Sequence, residues 1–263
     1  MKRNFDIKQI ARTVALGAVL SLGMTAGAAA ADMKHPDLSG IWLAFSVQPS
    51  AGLGPSRPAL SDKGKAMVKA FEDKYGKNHP ESGAFCVPDG MPTMMTAGLA
   101  GYPIEFIQRP DRLVTISEDE MQVRRMFFDG RKMPEGYPPT RAGFSLGHWE
   151  GDTLVVETGK FLDWPSARWP RSSEAKITER FSMTKRDKVA AKNAPFVTET
   201  PVDDDVLVDE MVINDPVFTA PAKMTIYFQR QADDDFLEYD CPRALWQDAL
   251  DAAVAARKGG ASK

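Results

Sequence analysis

The order of hydrophobic and polar positions is most regular over residues 144–161, where it predicts two β-strands joined by a tight turn. Phe144–Trp149 and Thr153–Phe161 are rich in β-branched and aromatic residues, which favour strands. Gly151 stands between them, where a hairpin needs a positive φ. We therefore expect a β-hairpin here, with the rest of the chain arranged around it.

Similar short runs, separated by turn residues, occur on both sides of this hairpin and predict a β-meander. Pro and Gly fall between the runs, where they end strands. The further predicted strands cover Ile41–Phe45, Ile104–Gln108, Arg112–Ser117, Met121–Phe128, Ala175–Lys185, Val206–Ile213, Lys223–Gln231 and Phe236–Tyr239.

Helical periodicity is confined to two segments near the ends of the chain. Ser61 is placed to cap a helix that runs to about Tyr75, and Pro242 to open one that runs to about Arg257. There is no βαβ alternation, no repeat and no sign of a second domain. The sequence predicts a single all-β domain over residues 32–263, an antiparallel meander closed into a lipocalin-like barrel or packed as a sandwich, with one N-terminal-side helix and a C-terminal helix.

Residues 1–31 have the composition of a secretory signal peptide. A basic start is followed by the apolar run Val14–Met24, which is too short for a stable transmembrane helix, and by small residues with A-x-A cleavage geometry at Ala28–Ala30. No later apolar run approaches the length of about 20 residues that a transmembrane helix needs. We therefore expect export to the periplasm or beyond, with no membrane insertion after cleavage.

The charge of the chain argues against a nucleic-acid partner. Residues 1–30 hold four basic residues and one acidic residue, so their removal changes the net charge from −3 to −6. No basic run exceeds two residues, and nucleic-acid surfaces need a basic patch. The partner that we expect is a small molecule.

Cys86 and Cys241 both follow the predicted signal peptide. An even pair of cysteines in an oxidising compartment predicts a disulfide. The alternative is a reactive thiol, which would need a neighbouring base that the sequence does not identify.

Several strands place a charge among apolar residues on one face. By alternation, Arg125, Glu157, Glu179 and Asp209 each share a face with apolar neighbours. If those faces point inward, the barrel contains charges that must pair or bind something. If they point outward, these are ordinary solvated groups. Both faces of these strands carry apolar residues, so alternation leaves the choice open.

His148 is the one histidine in a strongly patterned segment, and it precedes Glu150 and Asp152 at a spacing of two. A structural role in the hairpin, acid–base chemistry and metal binding all fit this spacing, although the turn at Gly151 disfavours a metal site. The Gly-x-Ser145-x-Gly pattern resembles a nucleophile elbow but lacks the strand–turn–helix context that this mechanism needs. The catalytic candidates are His148, Glu157, Glu179 and Asp209, without a metal or cofactor.

Methionines cluster in the loop-rich segment 78–103, where they form either a flexible lid over an apolar ligand or a loop packed on the core. Aromatic residues and arginines on the predicted strands complete the set that a ligand could contact. The ligand-binding candidates are Arg125, Arg131, Trp149, Met94, Met95 and Tyr227.

Five motifs together resemble a family of secreted proteobacterial proteins of undefined function. They are Leu38–Trp42, Cys86–Gly90, Asp129-Gly130-Arg131, Gly147–Thr158 (GHWEGDTLVVET) and Glu238–Cys241. The resemblance implies an exported, disulfide-bearing, β-rich protein. A weaker resemblance, carried by Gly40-x-Trp42 at the head of the first strand and by the predicted meander, is to lipocalins, in which this tryptophan closes one end of the barrel.

Two functional hypotheses follow from these observations. The first is a binding barrel for a small, largely apolar molecule of an aromatic or terpenoid kind. The second is a cofactor-independent lyase, isomerase or cyclase in a similar barrel, with an acid–base residue from the catalytic candidates and Arg125 or Arg131 stabilising an oxyanion. Charges enclosed with a shifted pKa would favour the second hypothesis, and a dry apolar pocket the first.

Overall fold

Nine β-strands close into a barrel in the computed structural model of the protein, which describes residues 34–51, 54–75, 88–166, 169–189, 197–233 and 236–239. Strands such as β5 and β6 alternate buried and more exposed positions, which suits a sheet with one face on a core, whereas β1 is buried continuously over residues 41–47. The barrel strands are β1 (Gly40–Gln48), β4 (Ile104–Arg109), β5 (Arg112–Ser117), β6 (Gln122–Phe127), β7 (Phe144–Glu150), β8 (Thr153–Gly159), β9 (Lys176–Lys185), β10 (Asp205–Asn214) and β11 (Ala222–Arg230), and β2 (Ser50–Ala51) pairs with β3 (Gly54–Pro55) outside it.

Around the barrel the strands follow the order β1-β11-β10-β9-β8-β7-β6-β5-β4, and β4 pairs with β1 to close it. Neighbouring strands are antiparallel except β6 and β7, which run parallel and share only the pairs Met126–Ser145 and Phe127–Leu146. Residues 128–143 make the crossover between them. The predicted barrel is confirmed, and this one parallel pair departs from the predicted antiparallel meander.

The predicted central hairpin is confirmed as β7 and β8. Its register runs from Phe144 opposite Gly159 to Glu150 opposite Thr153. Gly151 turns the chain with φ +60°, a conformation that residues with a side chain seldom adopt.

Aromatic and methionine side chains pack together in the hydrophobic core of the barrel. Phe106 makes edge-on contacts with Phe181 and Phe228, with ring centroids 6.0 and 6.3 Å apart. Trp42 is fully buried; its Nε1–H donates to the Leu38 carbonyl oxygen at 3.0 Å. The guanidinium of Arg230 lies 4.2 Å from the Trp42 ring.

Two short 3-10 helices, Thr93–Met95 and Ala97–Ala100, pack on this core. They bury Met94, Met95 and Leu99. Gly98 allows close approach to β1, because a Cβ there would lie 2.3 Å from the Ala44 nitrogen. Of the two alternatives for the methionine-rich loop, the structure therefore favours packing on the core.

The predicted N-terminal-side helix is confirmed as α1 (Asp62–Tyr75). Ser61 caps it, since its Oγ accepts a hydrogen bond from the Gly64 N–H at 3.2 Å. Gly64 also lies against the Val217 carbonyl, 2.2 Å from where a Cβ would stand.

Other expectations meet the structure only in part. Residues 236–239 lie outside any strand, contrary to prediction. The predicted signal peptide, Cys86, Cys241 and the C-terminal helix lie outside the described residues. In the part of the chain that is described, no helix has both the length and the apolar character needed to cross a membrane.

Candidate functional site

A cleft of about 860 Å³ lies beside the barrel wall where β6 and β7 meet. It extends from β6 to the crossover 128–143, so the sparse pairing of these two strands positions it. Its walls include Val123, Phe127, Tyr137, Phe144 and Leu162. Its charged lining residues are Glu120, Arg124, Arg125, Arg131 and Arg141.

Three aromatic rings form one wall of the cleft. Phe144 packs edge-on against Tyr137, with centroids 4.6 Å apart, and lies 5.7 Å from Phe127. The Arg131 guanidinium covers the Phe127 ring at 3.8 Å. The wall is therefore apolar with a cationic edge.

The Asp129-Gly130-Arg131 motif is the turn that places Arg131 on this wall. Asp129 Oδ1 accepts hydrogen bonds from the Arg131 backbone N–H at 3.1 Å and from its Nε–H at 2.8 Å. The hydrogen bond from the Arg131 side chain lowers the pKa of Asp129 to about 2. Arg131, a predicted ligand-binding residue, thus lines the cleft but already forms an ion pair with Asp129.

Arg141 lines the cleft, and its backbone is held by close packing and a hydrogen bond. Gly90, with φ +72°, lies so close that a Cβ would be 2.3 Å from the Arg141 oxygen, and that oxygen accepts a hydrogen bond from the Met91 N–H at 3.2 Å. Its guanidinium lies 4.4 Å from the Trp164 ring centre. Arg141 Nη1 is buried and has no hydrogen-bond partner among the described residues, and burial lowers the pKa of the side chain.

Glu120 lies at the edge of the cleft on a strained turn. Glu120 and Met121 have φ values of +57° and +49°, which side-chain-bearing residues seldom adopt. Burial, followed by the charges of Asp119 and Asp89, raises the pKa of Glu120 to about 7, and Arg141 opposes the rise. The cleft therefore contains a carboxyl group that ionises near neutral pH.

The interior of the barrel holds a second polar cluster, built on Arg124. Its guanidinium forms a two-pronged ion pair with Glu179, in which Nη1 lies 2.7 Å from Oε1. Its Nη2–H donates to Thr158 Oγ1 at 2.8 Å and its Nε–H to Ser145 Oγ at 3.1 Å. The side chains of Arg124 and Glu179 are 1% and 0% exposed, so this is a buried ion pair with its hydrogen bonds satisfied.

Asp209 also faces the interior of the barrel, but its carboxylate lacks hydrogen-bond partners there. It is fully buried, and neither carboxylate oxygen has a hydrogen-bond partner among the described residues. Burial and then the charge of Glu179 raise the pKa of Asp209 well above its ordinary value, although Arg124 opposes the rise. Asp209 is therefore held as a neutral acid over a wider pH range than an ordinary aspartate.

The structure decides which strand faces point inward, and the answer differs from strand to strand. Glu179 and Asp209 are inside, as one alternative required. Arg125 and Glu157 are exposed on the outer surface, because their neighbours Arg124 and Thr158 take the inward positions. The interpretation that put all four charges inside is therefore wrong for Arg125 and Glu157.

The remaining predicted site residues lie apart from one another. His148 is on the surface, with a side chain 61% exposed and Nε2 3.1 Å from Glu150 Oε1. Trp149 stacks on His35 with centroids 4.5 Å apart. Tyr227 is half-buried, 6.4 Å from Phe45 by ring centroids. The four catalytic candidates do not converge on one site: two are inside the barrel and two outside.

Sequence reasoning missed Arg124 and Arg141, which are central to the two sites. Arg124 had a signal, because it alternates with Gln122 and Met126 on one face of β6. Arg141 had none, since it lies in the proline-containing crossover. Ser145, set aside as a nucleophile, lies within β7 and shares a 2.9 Å hydrogen bond with Thr158.

Comparison with known proteins does not add a function. The chain matches no protein-family profile and no curated protein. Among the described residues, no group of His, Asp or Glu side chains is arranged to hold a metal ion.

Proposed function

We propose that the protein binds a small, largely apolar molecule in the cleft between β6 and β7. The observation that carries this proposal is a cleft of about 860 Å³ with three packed aromatic side chains on one wall. Small-molecule sites typically measure about 300–1,000 Å³ and combine apolar walls with a few polar groups.

A neutral aromatic probe tests this proposal directly. We expect pyrenebutanol to bind, measured by fluorescence anisotropy, and the double variant Val123→Gln/Leu162→Gln to bind about tenfold more weakly because two apolar contacts are lost. Val202→Gln is the matched control, since Val202 is exposed by 55% against 49% for Val123 but does not line the cleft. Equal weakening by the control would exclude the cleft as the site.

We further propose that the protein is exported to the periplasm or secreted and that Cys86 and Cys241 form a disulfide. The basic, apolar and small-residue order of residues 1–31 and the pair of later cysteines support this proposal. Intact mass spectrometry of the periplasmic fraction tests it. A chain that retains residues 1–31, or two thiols that react with iodoacetamide without reduction, would contradict it.

We also propose that the barrel is related to lipocalin-like barrels. Gly40-x-Trp42 opens β1, Trp42 is buried, and Arg230 lies over its ring. Lipocalins have eight strands, whereas this barrel has nine and one parallel pair. The acid–base alternative stays a prediction, and Glu179 and Asp209 are the two candidates that share a site.

A further inference from the structure

The charges that line the cleft are not balanced. Four arginines line it, and two of them have carboxylate partners: Arg124 pairs with Glu179 and Arg131 with Asp129. Arg125 and Arg141 have no carboxylate at salt-bridge distance within the described part of the chain.

Arg141 is the more informative of the two unpaired arginines. A buried N–H group without a hydrogen bond costs about 1–3 kcal/mol, and more when the group is charged. Arg141 Nη1 is such a group, and its position is fixed by the Trp164 ring and by the close packing of Gly90 on its backbone. The Arg141 side chain as a whole is half-buried and lines the cleft, so its guanidinium can meet an acceptor from outside the chain.

The local charge also limits what this acceptor can be. Arg125 and Arg141 supply two positive charges, and Glu120, with a pKa of about 7, offsets one of them partly at neutral pH. Among the lining groups without a salt-bridge partner, the excess is therefore between one and two positive charges, and Asp89, which acts on Arg141 from outside the lining, lowers it further. A single negative charge balances it, and the planar guanidinium fork of arginine suits a planar carboxylate.

We propose that the ligand is an amphipathic monoanion, an apolar aromatic or aliphatic body that carries one carboxylate. Its carboxylate binds Arg141, with Arg125 at the exposed side, and its body lies against Phe144 and Phe127. This inference rests on the proposed function, because it names the ligand class for the same cleft. It adds a binding role for Arg141, which no sequence motif indicated.

A pair of probes that differ in charge separates the two proposals. Pyrenebutyrate and pyrenebutanol share the aromatic body, and only the first carries a carboxylate. We expect pyrenebutyrate to bind at least about tenfold more tightly, as hydrogen bonds to charged groups contribute about 1.5–3 kcal/mol. Arg141→Gln should reduce pyrenebutyrate binding by about the same factor and leave pyrenebutanol binding within about twofold.

Arg109→Gln is the matched control, because Arg109 is exposed on the β4–β5 turn and does not line the cleft. Arg125→Gln provides a second test at an exposed position where folding is not at risk, with a smaller expected loss of pyrenebutyrate binding, about threefold. Circular dichroism confirms that each variant is folded.

The outcomes distinguish the inference from the proposal beneath it. Equal binding of both probes, with cleft variants weakening both, would overturn the monoanion inference and leave the binding cleft standing. Tighter pyrenebutyrate binding that Arg109→Gln reduces as much as Arg141→Gln would also overturn it, because the attraction would then be general. Binding of neither probe would overturn both proposals.

Discussion

Arg124 and Arg125 are consecutive residues of β6, yet they belong to two different environments. Arg124 points into the barrel and is 2% exposed, with Glu179, Thr158 and Ser145 around its guanidinium. Arg125 points outward into the cleft and has no carboxylate at salt-bridge distance among the described residues. One step along a strand separates a charge that is paired inside the barrel from one that faces solvent.

This contrast indicates which charges serve the fold and which are available to a ligand. Removing a charge from water is costly, so an interior charge persists only with its partners in place. Arg124 meets that condition, so its charge belongs to the folded interior. In the cleft, Arg125 is exposed and Arg141 is half-buried, so both can bind a partner from solution.

The largest expected effect comes from breaking the interior pair. Arg124→Met leaves Glu179 buried without its countercharge and should lower the free energy of unfolding by about 3–5 kcal/mol. Urea denaturation measures this change. Arg125→Met, the neighbouring substitution on the outer face, should change it by less than about 0.5 kcal/mol.

Removing both charges sharpens this test. Arg124→Met/Glu179→Leu deletes the pair without leaving a buried charge, so it should recover most of the lost stability. Similar losses for Arg124→Met and Arg125→Met would show that the two environments do not differ as described.

A smaller effect, visible through its pH dependence, is expected at Asp209. Folding raises its pKa above the ordinary 3.8, so between these two values the folded protein holds a proton that the unfolded chain releases. Stability should therefore be fully present below the unfolded pKa and fall by up to about 1.4 kcal/mol per pH unit as pH rises toward the folded pKa. Asp209→Asn should remove this part of the slope.

Glu157→Gln is the control for Asp209, because Glu157 is exposed on β8 and is not among the charges that act on Asp209. Denaturation curves collected at several pH values above about 4 give both slopes. If Asp209→Asn and the parent protein keep the same slope, the interior carboxyl is not the proton-holding group.

The strands themselves could be predicted from the sequence, but the direction of each charged residue could not. Arg112–Ser117 was predicted with the bounds that the structure shows, because its alternation and turn residues are local. Glu179 and Asp209 turned inward while Arg125 and Glu157 turned outward, although all four had the same pattern. Direction depends on the pairing register, which is a non-local property.

The cleft could not be predicted from local sequence patterns either, because it also depends on how separate segments pair. It exists because β6 and β7 are parallel and share two residue pairs, and a proline-containing crossover joins them. Parallel pairing of strands this close in sequence leaves no local signature. The sequence did single out Arg125 and Arg131, which line the cleft, but Arg141 had no pattern to mark it.

The smallest expected effect concerns the carboxyl group that shares the cleft with Arg141. Glu120, with a pKa of about 7, is mostly neutral near about pH 6 and mostly ionised near about pH 8. Ionised Glu120 attracts Arg141 and repels a bound carboxylate, so pyrenebutyrate affinity should fall across this range. The fall should be at most about fivefold, since a unit charge about 4 Å away contributes about 1 kcal/mol in water.

Glu120→Gln should flatten the profile, while pyrenebutanol binding should not change with pH in either protein. An unchanged profile in Glu120→Gln would exclude Glu120 as the source of the pH dependence.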